Sequence, residues 1–127
     1  MRALVVAFAA ALLGWAPVEP SDVAVSLAAQ PVANSCAVTA TATIVAYDTA
    51  RVRDVAYRFV HSDGTATKVA HLGFGGSSGA VAQSVSDTWR PRGGAPWVGL
   101  EITAPGHLRS RNVPAASRCP RGLVADR

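Results

Sequence analysis

The segment Gly75-Gly76-Ser77-Ser78-Gly79 has the G-x-S-x-G spacing of a nucleophile elbow. That device holds a serine on a strained turn between a strand and a helix of a large α/β sheet. Here the residues that follow, Ala80 to Trp89, alternate with period two as a strand does. Ser77 is therefore expected in a flexible strand connection, which disfavours a hydrolase. The same run lacks the G-K-[ST] ending that a phosphate cradle needs. The histidines are His61, His71 and His107. A zinc site needs several such ligands to converge on one ion. A hairpin turning at Asp63-Gly64 puts His71 about 16–20 Å along the strand from His61. His107 belongs to a separate loop, so all three are expected as solvated surface side chains. The acids beyond residue 28 are Asp48, Asp54, Asp63, Asp87, Glu101 and Asp126. Asp48 and Asp63 suit turns, where a short acceptor satisfies backbone N–H groups. No close pair of carboxylates of the glycosidase kind emerges. The chain reads as non-enzymatic, with no catalytic residue, metal or cofactor.

Binding chemistry is what remains. Trp89 shares a face with Val81 and Val85 and is assigned to the core. Trp97 is out of phase with Val98, Leu100 and Ile102, so of the two it is the better placed to meet a partner, although packing against the Arg90–Pro96 loop is the leading expectation for it. With Arg90, Arg92, His107 and Arg109 it makes the candidate partner-binding set. Twelve Lys and Arg against eight Asp and Glu give a net charge of +4, and Lys68 is the single lysine. The arginines Arg90, Arg92, Arg109, Arg111, Arg118, Arg121 and Arg127 crowd the second half, a distribution able to attract polyanions. No stripe of basic residues interleaved with aromatics appears, which argues against nucleic acid. The expected partner is an unidentified protein or a cell-wall component. An alternative is a small-molecule carrier or inhibitor-type sandwich, which requires an apolar cleft lined by Trp97, Phe74 and Leu108.

The elements that must position these residues begin with an export signal. Arg2 precedes an apolar run from Ala3 to Trp15, of h-region length and short of the roughly 20 residues of a membrane span. Ser26-Leu27-Ala28 is the preferred small-x-small cleavage motif, with Ala16 the alternative that Pro17 disfavours. The expected plan is a signal peptide over 1–28, a linker over 29–35, one domain over 36–119 and a disordered tail over 120–127. The product is a secreted, extracellular monomer with no membrane span after cleavage. Export permits a disulfide, and two cysteines allow one intrachain pairing, Cys36–Cys119.

Between the cysteines the pattern is that of strands. Cys36, Val38, Ala40, Ala42, Ile44 and Ala46 share one face, and Thr39, Thr41 and Thr43 the other. Val55, Tyr57 and Phe59 form the inner face of a second strand, and Ser62-Asp63-Gly64 is a hairpin turn. A return strand is expected over 65–74, then strands over 80–89, 97–103 and 113–119, the last weakened by Pro114. No helical periodicity occurs outside the signal. The fold class is an all-β, antiparallel sandwich of six or seven strands behind a signal-peptide helix. Its expected core is Val38, Ile44, Tyr57, Phe59, Val85, Trp89, Leu100 and Ile102.

This order resembles the Ig-like β-sandwich domains of actinobacterial secreted proteins. It is carried by Cys36 opening a Thr-rich strand, Tyr57-Arg58-Phe59, Ser62-Asp63-Gly64, a Gly-rich loop, Trp89, Trp97-Val98-x-Leu100-x-Ile102, Pro105, Ser110-Arg111-Asn112 and Cys119. The resemblance covers residues 36–119. It implies an Ig-like sandwich whose first and last strands are joined by the disulfide. It assigns no catalytic residues, so none is carried over. Two departures stand out: many members have Trp where Tyr57 or Phe59 stands, and Pro114 and Arg118 interrupt the expected alternation of the final strand.

Overall fold

The computed structural model describes residues 22–75, 79–92 and 94–118. Eight strands run through them: β1 Val23–Pro31, β2 Val38–Ala46, β3 Asp54–His61, β4 Ala70–Gly73, β5 Val81–Trp89, β6 Trp97–Ala104, β7 Leu108–Arg109 and β8 Val113–Pro114. All pairings are antiparallel. One sheet has the order β1-β2-β5, and the other has the order β4-β3-β6-β7 with β8 also on β6. Three strands facing five, with the chain crossing between the sheets at β2–β3, β4–β5 and β5–β6, make an antiparallel β-sandwich.

The alternation of β2 explains its central place. Cys36, Val38, Ala40, Ala42, Ile44 and Ala46 are all essentially inaccessible to solvent. They meet Val55, Phe59, Val98, Leu100 and Ile102 from the opposite sheet. Burying a side chain such as Ile44 or Leu100 contributes about 1.5–3 kcal/mol. Of the expected core, Val38, Ile44, Phe59, Leu100 and Ile102 are buried, while Tyr57, Val85 and Trp89 are half-buried and packed against that cluster. The outward positions of β1, β2 and β5 form rows: Ser26, Thr43 and Ser84; Ala28, Thr41 and Ser86; Gln30, Thr39 and Thr88. With Ala24, Val45 and Ala82 completing the fourth row, this face carries no charged side chain.

Turn chemistry fixes the loops. Asp48 Oδ1 accepts from the Ala50 N–H at 3.0 Å, and Asp63 Oδ1 accepts from the Thr65 N–H at 3.0 Å. Gly64 sits at φ +88°, a conformation that glycine adopts freely.

Four features differ from the sequence reading. β1 lies within residues assigned to the signal and linker, yet it pairs with β2 over nine residues. Its Val-Ala-Val-Ser-Leu-Ala-Ala composition is as apolar as an export segment, which hides the alternation. The expected return strand 65–74 is reduced to an Ala66 bridge with Val60 and the four residues of β4. Thr67 Oγ1 accepts the Phe59 N–H, and Lys68 and Val69 bow outward before pairing resumes. β7 was not expected. The final strand is confined to Val113–Pro114 and a Ser35–Arg118 bridge, because Pro114 offers no N–H to continue a ladder. The expected signal-peptide helix, Ser77, Cys119 and the tail lie outside the described residues. Among the described residues no helix is long and apolar enough to cross a membrane.

Candidate functional site

The site is built on β6 and the broken strand beside it. Pro105-Gly106 turns the chain so that Ile102 pairs with Leu108 and Glu101 with Arg109. Regular pairing stops at Ser110, whose hydroxyl oxygen accepts the Leu100 N–H at 2.8 Å in place of a backbone carbonyl. Pairing resumes at Val113 and Pro114 against Val98 and Trp97. Between them Arg111 and Asn112 take no part in the ladder.

Trp97, Gly99 and Glu101 occupy the outward phase of β6. Trp97 is half-buried, as its phase predicts, and the Arg109 guanidinium lies over its ring with Cζ 5.7 Å from the centroid. Gly99 makes this possible. A Cβ there would collide with Arg109 Nη1 and stand 2.7 Å from Cζ. Arg109 Nη1 also donates to the Ser110 carbonyl at 3.1 Å, which holds the guanidinium across the glycine. Trp97 also borders an open cavity of about 400 Å³, lined by Gly94, Ala95, Pro96, Trp97, Asn112, Pro114 and Ala116.

The neighbouring charges are already matched. Arg58 Nε donates to Glu101 Oε1 at 2.6 Å, and His107 Nε2 donates to Glu101 Oε2 at 2.7 Å. The bond from His107, then that from Arg58, holds the Glu101 carboxyl below its ordinary value. Glu101 is thus kept anionic but occupied, although it is the register partner of Arg109. Among the described residues Arg109 has no carboxylate partner.

The candidate residues therefore divide. Trp97 and Arg109 are in direct contact, while His107 bonds Glu101, the register partner of Arg109, and is bonded to neither. Arg90 and Arg92 line neither the Trp97 cavity nor the Arg109 stack; the Arg92 charge acts instead on Asp63, whose carboxyl is lowered chiefly by the Thr65 hydroxyl. The cleft expected from Trp97, Phe74 and Leu108 is not assembled. Phe74 is buried in the core, Leu108 packs against it, and the Trp97 cavity is walled by other residues.

The histidines also separate. His71 Nδ1 pairs with Asp54 at 3.2 Å on the surface. His61 is not a surface residue: it is 7% exposed and ties the two sheets together. Its Nε2 meets Asp87 Oδ2 at 2.8 Å across the sandwich, its Nδ1 meets Thr65 Oγ1 at 2.8 Å, and its ring stacks on Trp89 at 4.3 Å. Period-two phase places His61 with Val55 and Phe59, which is the signal for its burial. Gly99 was equally visible within Val98-x-Leu100, but its role depends on a pairing partner ten residues away.

Cys36 is buried at the mouth of β2. The Ser35–Arg118 bridge pairs the residue before Cys36 with the last described residue of the chain.

These features define an antiparallel β-sandwich with a tryptophan–arginine surface on its larger sheet. No family model matches the chain, and no curated protein matches it. A solved structure, the X-ray structure of Northeast Structural Genomics Consortium target SoR45, aligns with 87% of this chain and 96% of that one, at 10% identity and a TM-score of 0.35.

Proposed function

We propose that this chain is a secreted, non-enzymatic Ig-like binding module that engages a cell-wall component or an extracellular protein through the outer face of its larger sheet. The observation that carries this reading is the Gly99 clearance, which lets Arg109 lie on Trp97. An arginine left to solvent needs no such clearance. Tryptophan and arginine dominate the energetics of interfaces, and here the two are pre-positioned beside an open cavity. Export and the Cys36–Cys119 bridge belong to the same proposal: the bridge closes the seam that Pro114 weakens.

The test is capture of the purified protein on isolated cell walls and on immobilised culture-medium proteins. Trp97→Ala is expected to abolish retention. Thr41→Glu, on the opposite sheet, is expected to retain it. Equal retention of wild type and Trp97→Ala would remove the basis for this face.

A further inference from the structure

We infer that Arg109 and Trp97 form a receptor for the carboxylate-bearing sugar rings of an acidic polysaccharide, the ring lying against Trp97 and its carboxylate on the Arg109 fork. This deepens the binding-face reading and rests on it.

The guanidinium supplies five N–H donors in a rigid plane. One is committed, to the Ser110 carbonyl. The guanidinium lies over Trp97, and Arg109 is exposed to solvent. A guanidinium fixed by a ring on one side and a carbonyl at one corner is already arranged for bidentate oxyanion binding, so little conformational entropy is lost when the anion arrives. Glu101 does not neutralise it, because Arg58 and His107 hold both oxygens of that carboxylate. The local field is therefore that of a cation without a carboxylate partner among the described residues.

The cavity selects the body that carries the carboxylate. Its walls are the flat apolar surfaces of Trp97, Pro96 and Pro114, and Asn112 is its one side-chain amide. A pyranose has the matching character: an apolar face of C–H groups and a polar rim. Its volume fits comfortably within about 400 Å³. An acidic peptide fits less well. β6 beside Trp97 is paired on both sides, with β3 and with β8, so it offers no free edge for strand addition. Pro114, at the outer edge, has no N–H to give. A peptide backbone would find few partners here, whereas a sugar ring needs few.

The probe is trigalacturonate, with galactotriose as the neutral counterpart and hexaglutamate as the peptide counterpart, each titrated by calorimetry into the folded wild-type protein. Trigalacturonate is expected to bind saturably and to weaken as salt is raised. Galactotriose and hexaglutamate are expected to bind at least tenfold more weakly. Arg109→Gln is expected to lower trigalacturonate affinity at least tenfold, and Arg109→Lys, which keeps the charge but not the fork, to lower it severalfold. Urea unfolding verifies that each variant is folded. The inference is overturned if acidic and neutral trimers bind alike, if hexaglutamate binds as well as the uronate, if no trimer binds, or if Arg109→Gln binds unchanged. Trp97-dependent retention on cell walls without uronate binding would sink this ligand class and leave the binding face standing. Trp97-independent retention would sink the face itself.

Discussion

Gly99→Ala separates the surface from the fold in one atom. The three atoms nearest the added methyl all belong to the far end of the Arg109 side chain, with Cζ at 2.7 Å and Nη2 at 2.9 Å. The guanidinium must leave Trp97, forfeiting a cation–π contact of about 0.5–1 kcal/mol at an exposed site. Gly99 is not among the residues with positive φ, so alanine is unstrained there. Replacing glycine within a strand returns roughly 0.5–1 kcal/mol. The two effects cancel to within about 1 kcal/mol. With a urea slope of about 1–3 kcal/mol per molar, the unfolding midpoint moves by at most about 1 M. Wall retention and uronate binding, in contrast, are expected to fall at least tenfold. The assay is a urea titration beside a binding titration on the same preparations. A stability loss above about 2 kcal/mol would show that Gly99 serves sheet packing, and unchanged binding would show that the stack serves nothing; either refutes the reasoning.

Four further outcomes are expected. With the proposed Cys36–Cys119 bridge in place, Cys119→Ser would remove a loop closure worth about 4–5 kcal/mol in the chain-entropy model, and hydrogen exchange should loosen chiefly beyond Pro105; a uniform loss of protection contradicts this. Glu101→Gln should be less stable than wild type at pH 7. Because the folded carboxyl lies below its ordinary value, its stabilisation is present above the carboxylate range and fades as pH falls through the folded value; a deficit that stays constant in acid urea titrations rejects the link. Asp87→Ala leaves the buried His61 Nε2 without its partner and should cost about 1–3 kcal/mol, with Asp87→Asn recovering most of it in thermal melts. A chain starting at Ala29 keeps three of the nine β1 register pairs and loses buried Val23, so at least about 1.5–3 kcal/mol should go. Under the proposed export, intact mass should accordingly place the first residue of the processed chain before Val23, and a fully stable chain starting at Ala29 would contradict that.

Sequence patterns reached the fold where the signal was local. The Thr and Ala alternation of β2, Asp63-Gly64 and the Val98-Leu100-Ile102 phase each state their structure within ten residues. β1 was lost because alternation between alanine and valine has little amplitude, and it followed an apolar leader. His61 was misplaced because residue type outweighed its phase with Phe59. At the site, Trp97 was legible from phase alone. The Arg109 stack was legible only in retrospect: a turn at Pro105-Gly106 sets Arg109 against Glu101, but the break at Ser110 that swings its side chain over Gly99 depends on a hydroxyl replacing a carbonyl. No propensity encodes that.

The charge-free face of β1, β2 and β5 makes the molecule two-sided in an electric field. Its rows of Ser26, Thr43 and Ser84 and of Gln30, Thr39 and Thr88 contribute no net charge, while Arg109 lies over Trp97 on the other sheet. Near an anionic polymer layer the torque on such a charge distribution turns the arginine flank inward before any contact forms. Molecules arriving this way share one orientation. The layer they build presents hydroxyls to the medium, and neutral, hydrated neighbours pack side by side without the repulsion that a cationic outer surface would impose.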